Sequence, residues 1–231
     1  MYGYVPRLGG FQVGRNQTAS AGTAIVVLIP PMTGAITHVG EMVLTAGATA
    51  HDLYLLRPLN YTTVASAAAS GQAVVNFTAD PGIYSTNYLY PPLNLPYGQA
   101  LNPLPTFQTA DHGIAANDYV VTETPDGAFW VAKVSSVSTL AVTMTTNVPT
   151  GGLVAGARIW YFGTISLNDP ATAAAQFRFT TTASAANTVA CVGFGADLLG
   201  SLHPYDPILF YDANATNADT LNRLEGWYAK F

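Results

Sequence analysis

Short runs of β-branched and aromatic residues, separated by turns rich in glycine and proline, make up the hydrophobic pattern of this chain. Residues 23–29 form an unbroken apolar run that ends at two prolines, which predicts a strand buried on both faces. Residues 139–145 alternate apolar and polar side chains with a period of two, as a half-buried strand does. Similar patterns predict strands over residues 36–44, 50–57, 72–78, 118–123, 128–134, 157–162, 176–181, 187–192 and 207–211. We therefore expect an all-β protein.

Turn residues indicate how some of these strands are connected. Thr124-Pro-Asp-Gly127 lies between two predicted strands, and its Asp-Gly pair suits the positive φ angles of a tight hairpin turn. Residues 36–44 and 50–57 are separated by a short Ala-Gly-Ala turn, so we expect them to be antiparallel neighbours. The alanine-rich residues 65–71 form either a loop or one turn of helix, since alanine is the best helix former.

The distribution of strands suggests a domain inserted into another domain. Residues 111–163 hold four or five short strands, which predicts a small β-barrel-like module closed to remove its own edges. The flanks, 23–110 and 164–231, hold too few strands for two separate domains. We expect them to combine into one antiparallel β-sandwich or jelly-roll-like domain that carries the module as an insertion.

Two segments carry aromatic residues that no predicted strand pattern buries. Residues 1–22 are glycine-rich and are predicted to form an extended N-terminal arm, either disordered or laid across another surface. Residues 82–109 mix tyrosines with prolines, which indicates either an extended ribbon docked on a partner or neighbouring domain, or an interdomain linker. The predicted interface residues in these segments are Tyr2, Tyr4, Arg7, Phe11, Arg15, Tyr84, Tyr88, Tyr90 and Tyr97.

The composition is poor in charge. Charged residues make up 9% of the chain and hydrophobic residues 49%, whereas an ordinary globular protein carries about a quarter charged residues. This favours a surface covered by protein neighbours in an assembly, with a compact β-protein whose surface is rich in threonine and serine as the alternative. The net charge of −5 offers no basic face for phosphates, so we expect no nucleic-acid partner.

The sequence also bears on localisation. The first residues lack the basic start and apolar stretch of a secretory signal, so we expect synthesis in a cytoplasm. Long uncharged stretches such as 81–110 contain too much proline and asparagine for a membrane-spanning helix, so we expect no membrane segment. The single cysteine, Cys191, lies in an apolar context and cannot form a disulfide within the chain.

No residue pattern indicates catalysis or a cofactor. The four histidines, His38, His51, His112 and His203, are dispersed and show no metal-ligand spacing. The acidic and amide residues between Asp206 and Asp219 suit either a structural calcium ion or Asx-type turns. A phosphate-binding loop, a nucleophile elbow and a Cys/His cluster are all missing from the sequence. We predict a non-enzymatic protein without cofactor or metal residues.

The inserted module carries a family resemblance. It contains the segments Asn117-Asp-Tyr-Val-Val, Pro-Asp-Gly-Ala-Phe-Trp, Leu-Ala-Val-Thr-Met-Thr-Thr and Gly-Ala-Arg-Ile-Trp-Tyr-Phe-Gly163. This pattern resembles a small β-module of tailed-bacteriophage head stabilisation proteins, also called cement or decoration proteins. The resemblance implies a structural virion protein, made in the host cytoplasm, that binds the outer capsid surface and stabilises the lattice by bridging major capsid subunits. Its implied partners are the major capsid protein and further copies of itself, in a dimer or trimer.

A receptor- or glycan-binding module of a phage tail or surface appendage is the alternative. In that case exposed tyrosines and the tryptophans Trp130, Trp160 and Trp227 would stack on sugar rings. A carbohydrate-active enzyme is a third possibility, which would need two acidic side chains brought together by the fold.

Overall fold

The computed structural model confirms the all-β class. It describes residues 7–14, 17–19, 22–32, 35–46, 52–78, 114–164, 176–180, 188–192, 198–199, 202, 206–213 and 218–230. Within these ranges the regular secondary structure consists of strands, and every strand pair is antiparallel.

Fifteen strands follow one another within the described residues. They are β1 (Arg7–Val13), β2 (Gln17–Ala19), β3 (Ala24–Leu28), β4 (Ala35–Ala46), β5 (Asp52–Leu56), β6 (Asn60–Thr63), β7 (Val74–Asn76), β8 (Tyr119–Glu123), β9 (Phe129–Ser138), β10 (Ala141–Met144), β11 (Arg158–Tyr161), β12 (Gln176–Thr180), β13 (Thr188–Val192), β14 (Pro207–Asp212) and β15 (Asp219–Lys230). The chain divides into two compact units: Met1–Arg57 with Leu167–Phe231, and Pro58–Ser166.

The first unit is an antiparallel β-sandwich. One sheet has the order β1-β15-β4-β13, with β2 also paired to β15, and the other has the order β12-β5-β14-β3. Alternate side chains of both sheets point into a shared apolar core, because successive residues of a strand face opposite sides. The buried core residues are Ala19, Val27, Ile29, Val39, Met42, Leu44, Ala46, Leu53, Leu55, Leu199, Leu202, Ile208, Phe210, Leu221 and Leu224.

Strand β15 is the central element of the first sheet, although the sequence pattern did not predict it. It pairs with β4 on one side and with β1 and β2 on the other. Its register against β4 shifts between Leu221 and Arg223 and again between Glu225 and Gly226. Each shift interrupts the alternation of apolar and polar side chains, so no period of two marks this strand in the sequence.

The described part of the N-terminal segment belongs to the sandwich sheet. The sequence predicts an extended arm over residues 1–22, whereas β1 and β2 are hydrogen-bonded to β15 of the same chain. The Phe11 ring packs on the sandwich core and lies 5.4 Å from the ring of Tyr228. Sequence reasoning missed this pairing because the partner strand comes from the far end of the described chain.

The expected pairing of residues 36–44 with 50–57 is wrong. Strand β4 pairs with β15 and β13, whereas β5 pairs with β12 and β14 in the opposing sheet. The connection therefore crosses from one sheet to the other instead of closing a hairpin. A short turn-like sequence cannot distinguish these two outcomes, since both reverse the chain direction.

The second unit is a six-stranded sheet, in the order β6-β11-β8-β9-β10-β7, that curls into a barrel-like module. Its end strands meet, because Ala65 N–H donates to the Asn76 carbonyl at 2.7 Å and Thr78 N–H donates to the Thr63 carbonyl at 2.8 Å. The interior is filled by buried side chains: Val64, Ala68, Val75, Phe77, Ile114, Val120, Trp130, Ala132, Val134, Val142, Met144, Val148, Leu153, Ile159 and Tyr161.

The module starts earlier than the sequence suggests. The expected insertion covers 111–163, whereas the compact unit begins at Pro58 and ends at Ser166. Strands β6 and β7, which lie before residue 111, supply both end strands of the curled sheet. The expected boundary therefore leaves out the two strands that bring the sheet edges together.

The predicted hairpin at Thr124-Pro-Asp-Gly127 is confirmed. Strands β8 and β9 are antiparallel neighbours, and Thr124 N–H donates to the Ala128 carbonyl at 2.8 Å. Gly127 has a φ of 81°, a conformation that glycine adopts without steric cost. The Thr124 hydroxyl donates to Asp126 Oδ1, and this hydrogen bond lowers the pKa of the Asp126 carboxyl.

Candidate interaction surfaces

The outer face of the four-stranded sheet carries a row of aromatic and charged side chains. Arg178 of β12, Tyr54 of β5 and Tyr211 of β14 are direct neighbours across three adjacent strands. Their sequence neighbours Leu53, Leu55, Phe177, Phe179 and Phe210 pack in or against the sandwich core, so the row points outward. We call this surface the tyrosine face and define it by Asp52, Tyr54, Arg178, Thr180 and Tyr211.

Hydrogen bonds hold the polar groups of the tyrosine face in place. Asp52 Oδ2 lies 2.7 Å from Arg178 Nη2, and Asp52 Oδ1 accepts the Thr180 hydroxyl at 2.6 Å. The Tyr54 ring centroid is 6.1 Å from that of Tyr211, with the planes tilted by 51°. The carboxylate and guanidinium charges cancel, so the face is preorganised and carries no net charge.

The local environment shifts two pKa values on this face. Burial alone would raise the pKa of Asp52, but hydrogen bonds from Arg178 and Thr180, together with the Arg178 charge, outweigh burial and lower it. Burial, followed by the negative charge of Asp52, raises the pKa of Tyr54. Asp52 is therefore ionised and Tyr54 neutral at physiological pH, and the Tyr54 hydroxyl donates a long hydrogen bond to Asp52 Oδ2 at 3.5 Å.

The composition of the tyrosine face matches that of a protein-binding surface. Arg178 keeps 39% of its side chain exposed, and both tyrosines are half-buried. Tyrosine and arginine are enriched among the residues that dominate binding energy, because each combines a large apolar area with a few directed hydrogen bonds. The face can therefore bind a mainly uncharged protein surface through its rings and hydrogen-bond donors.

The outer face of the five-stranded sheet carries a larger network of charged and small polar side chains that bind one another. Arg223 lies 3.2 Å from Glu41 Oε1 and 2.8 Å from Glu225 Oε1, and Gln12 Nε2 donates to Glu225 at 2.8 Å. Threonine and asparagine continue the pattern, in the pairs Thr45–Asn222 and Thr18–Thr220. We call this surface the polar face.

One aromatic pair lies within the five-stranded sheet. The rings of His38 and Trp227 stack with centroids 5.5 Å apart and planes 12° apart. A Cβ atom on Gly40 would collide with the indole of Trp227, so the missing side chain makes room for the ring. His38 is buried in this stack, which explains this histidine as a structural residue.

The second unit carries a separate arginine–aromatic cluster on the outside of the barrel-like sheet. The Arg158 guanidinium lies 4.5 Å from the Tyr61 ring centroid and 5.5 Å from that of Trp160. Phe129 adds a third ring, 6.4 Å from Trp160. Trp160 is only 5% exposed, and its buried Nε1–H has no hydrogen-bond acceptor. Such cation–π contacts stabilise an exposed arginine by about 0.5–1 kcal/mol.

Most of the interface residues predicted from the sequence lie outside the described ranges. These are Tyr2, Tyr4, Arg15, Tyr84, Tyr88, Tyr90 and Tyr97. Arg7 lies at the start of β1, and Phe11 is half-buried against the sandwich core. Phe11 thus makes contacts within its own chain.

Sequence reasoning missed the residues of the tyrosine face, although they lie on predicted strands. Tyr54, Arg178 and Tyr211 occupy polar-side positions in the alternation of 50–57, 176–181 and 207–211, and that alternation indicates outward side chains. The missing information was the order of the strands, which places the three side chains next to one another.

Two of the tryptophans proposed for sugar stacking are buried. Trp130 lies in the interior of the barrel-like module, and Trp160 is buried beneath Arg158. Neither ring offers an open face to a sugar. Trp227 is half-buried and stacks on His38.

Two acidic residues of the oxygen-rich stretch, Asp212 and Asp219, contact each other, and residues 214–217 between them lie outside the described ranges. Asp212 Oδ2 accepts the backbone N–H of Asp219 at 3.1 Å, and both carboxylates are buried. This contact spans seven residues along the chain, so the Asx-type turns and the calcium ion that the sequence offers both stay predictions. Within the described ranges, no group of three or more His, Cys, Asp or Glu residues could hold a metal ion. His51, His112 and His203 lie outside those ranges.

The same part of the chain contains no helix that is long and apolar enough to cross a membrane. No protein-family model, curated protein or solved structure matches the chain.

Proposed function

We propose that this chain is a non-enzymatic structural protein that binds a protein lattice through the tyrosine face. The specific form suggested by the family resemblance is a virion protein that attaches to the outside of a phage capsid and bridges its major capsid subunits. Binding would use burial of the two tyrosine rings and hydrogen bonds from Arg178 and the phenols.

The observation that supports this proposal is the row Arg178–Tyr54–Tyr211 across three adjacent strands. The polar face is dominated by charged and small polar groups that are connected to one another. The tyrosine face instead gathers large side chains and neutralises its one ion pair internally, which lowers the cost of removing it from water.

The low charge content of the chain supports the same proposal. With 9% charged residues, the protein has few groups to keep isolated copies dispersed in water. Attachment to a repetitive lattice covers apolar surface, and many weak attachments to neighbouring sites add up to firm binding.

The test compares the two outer faces of the sandwich. Purified capsids lacking the chain are incubated with the wild type, with a Tyr54→Ala/Tyr211→Ala variant, or with a Thr18→Ala/Thr220→Ala control on the polar face. Cosedimentation measures the bound fraction. We expect the tyrosine variant to bind at least about tenfold more weakly, because aromatic anchors contribute about 2 kcal/mol or more. Equal binding of all three proteins would exclude the tyrosine face as the attachment surface.

A further inference from the structure

Strand β3 is the edge of the four-stranded sheet and lacks the usual protection of an exposed edge. Its sequence, Ala24-Ile-Val-Val-Leu28, contains no charge, proline or glycine. Soluble proteins commonly protect such edges with lysine, proline or a bulge, because an open edge pairs with other strands. Leu28 is 48% exposed, an unusual position for a large aliphatic side chain.

The pairing with β14 shows which backbone groups of β3 point to the open edge. Asp212 N–H donates to the Thr23 carbonyl at 3.0 Å, so these two residues form a hydrogen-bonded pair. Antiparallel pairs alternate between hydrogen-bonded and non-hydrogen-bonded positions. Ile25 and Val27 therefore bond to β14, whereas the N–H and C=O groups of Ala24, Val26 and Leu28 point outward. Within the described residues no hydrogen bond reaches that edge.

These outward groups are spaced for pairing with a second β3. If two copies lie antiparallel about a twofold axis at Val26, each Val26 faces the other Val26. Each Ala24 then faces Leu28 of the other copy. All three outward positions become hydrogen-bonded pairs, which gives about six backbone hydrogen bonds.

The side chains suit the same register. Opposite residues in a strand pair lie on the same face, so the large, exposed Leu28 would lie beside the small Ala24 of the other copy. Ile25 and Val27 face the sandwich core, and they would join the apolar cores of the two copies along the extended sheet. A twofold interface needs only one self-complementary patch, and this strand provides it without any charge to repel its copy.

We propose that two copies of this chain associate through their β3 edges and form one continuous antiparallel sheet of eight strands. This inference depends on β3 alone and not on the identity of the lattice partner. Its consequence for the proposed function is that the dimer would present two tyrosine faces on the same side of one sheet.

The first experiment is a cross-link at the twofold axis. The Cα atoms of a hydrogen-bonded antiparallel pair lie about 5.5 Å apart, which is within the range that a disulfide spans. A Val26→Cys variant should form a covalent dimer on mild oxidation, with the disulfide mapped by mass spectrometry to residue 26 of both copies. Val154→Cys, at a valine that is 52% exposed in the second unit, serves as the control and should remain uncross-linked.

The second experiment measures association without a cross-link. Sedimentation velocity should show the wild type as a dimer, and a Leu28→Lys variant should dissociate at least about tenfold more readily, because two lysines would then lie at the shared edge. Val154→Lys is the control for an added surface charge. Circular dichroism and melting of each variant establish that the fold is retained.

The outcomes separate this inference from the proposed function. A monomeric wild type at tens of micromolar concentration, or a dimer that forms equally well with Leu28→Lys and gives no residue-26 cross-link, would overturn it. If the wild type is monomeric but Leu28→Lys abolishes capsid binding, the edge pairs with a capsid strand and not with a second copy. The Tyr54→Ala/Tyr211→Ala variant should remain dimeric, so loss of capsid binding there tests only the tyrosine face.

Discussion

The two outer faces of the sandwich differ in the partners of their side chains. On the polar face, Glu41, Arg223 and Glu225 form a connected set of ion pairs, and threonines hydrogen-bond across the strands. On the tyrosine face, a single ion pair lies beside two large rings. Both faces come from the same alternation of strands around one core. The two faces therefore differ in the extent of their polar network and in the two tyrosine rings that the proposal assigns to binding.

The largest expected effect is on the sheet that carries the polar face. A Cβ atom on Gly226 would collide with the His38 carbonyl oxygen and with the Phe11 ring. Gly226→Ala should therefore separate β15 from its neighbours and lower the free energy of unfolding by about 3 kcal/mol or more. Urea unfolding measures this loss.

The control for this substitution is Gly9→Ala in β1, where the added Cβ would meet only Met32 at 3.9 Å. It should change stability by less than about 1 kcal/mol. If Gly226→Ala lowers the free energy of unfolding no more than Gly9→Ala does, β15 tolerates a side chain at its bulge.

The second effect compares one arginine from each outer face. Arg178→Ala should weaken lattice binding about tenfold, because it removes a hydrogen-bond donor from the proposed interface. Arg223→Ala removes a similar ion pair from the polar face and should change binding less than twofold. Cosedimentation with capsids measures both. A larger loss of capsid binding in Arg223→Ala than in Arg178→Ala would contradict the assignment of the tyrosine face as the binding surface.

A smaller effect concerns acid. The folded state lowers the pKa of Asp52, so its contribution to stability is present above the carboxyl's unfolded pKa of about 4 and is lost as the pH falls through the lowered value. Asp52→Asn should destabilise the protein by at most about 1 kcal/mol at pH 7, because the pair is partly exposed. Urea unfolding at pH 7 and pH 3 should show this difference shrinking in acid. A difference that grows in acid would contradict the assigned ion pair.

The smallest effect is the response of attachment to salt. The tyrosine face has no net charge, so its binding should change less than about twofold between 0.1 M and 1 M sodium chloride, although the Debye length falls from about 10 Å to about 3 Å. Low concentrations of urea should release the chain before it unfolds, since urea solvates apolar and peptide groups. Release by salt alone would indicate an interface dominated by charged residues.

The local sequence pattern was sufficient to predict strands with an unbroken apolar or alternating run, and a hairpin whose two strands are close in sequence. The all-β class, the hairpin at Asp126-Gly127 and the strands that carry Tyr54 and Tyr211 could all be predicted. Strand β15 could not, because its two register shifts interrupt the alternation. Strands β1 and β2 could not, because they are short and their partner is distant in sequence.

The tyrosine face could not be predicted from the sequence for a related reason. The sequence places Tyr54, Arg178 and Tyr211 in three separate strands, and their proximity depends on long-range strand order. The sequence instead predicted interface residues in segments without a strand pattern, among them the tyrosines of 82–109. Those residues lie outside the described ranges, so their role in an interface stays a prediction.

The position of β15 sets an order of events during synthesis. Strands β1, β2 and β4 emerge early from the ribosome, yet β1 and β2 pair with β15, the last of the described strands, and β4 needs β15 on one side and β13 on the other. The barrel-like unit, Pro58–Ser166, is complete well before that strand appears. Contacts between strands that are far apart in sequence form slowly. We therefore expect the early strands to remain unpaired, with their apolar sides exposed, while the inserted unit folds. Nascent chains stalled before β15 should therefore expose the sandwich strands to chaperones and proteases, and release of the full chain should protect them.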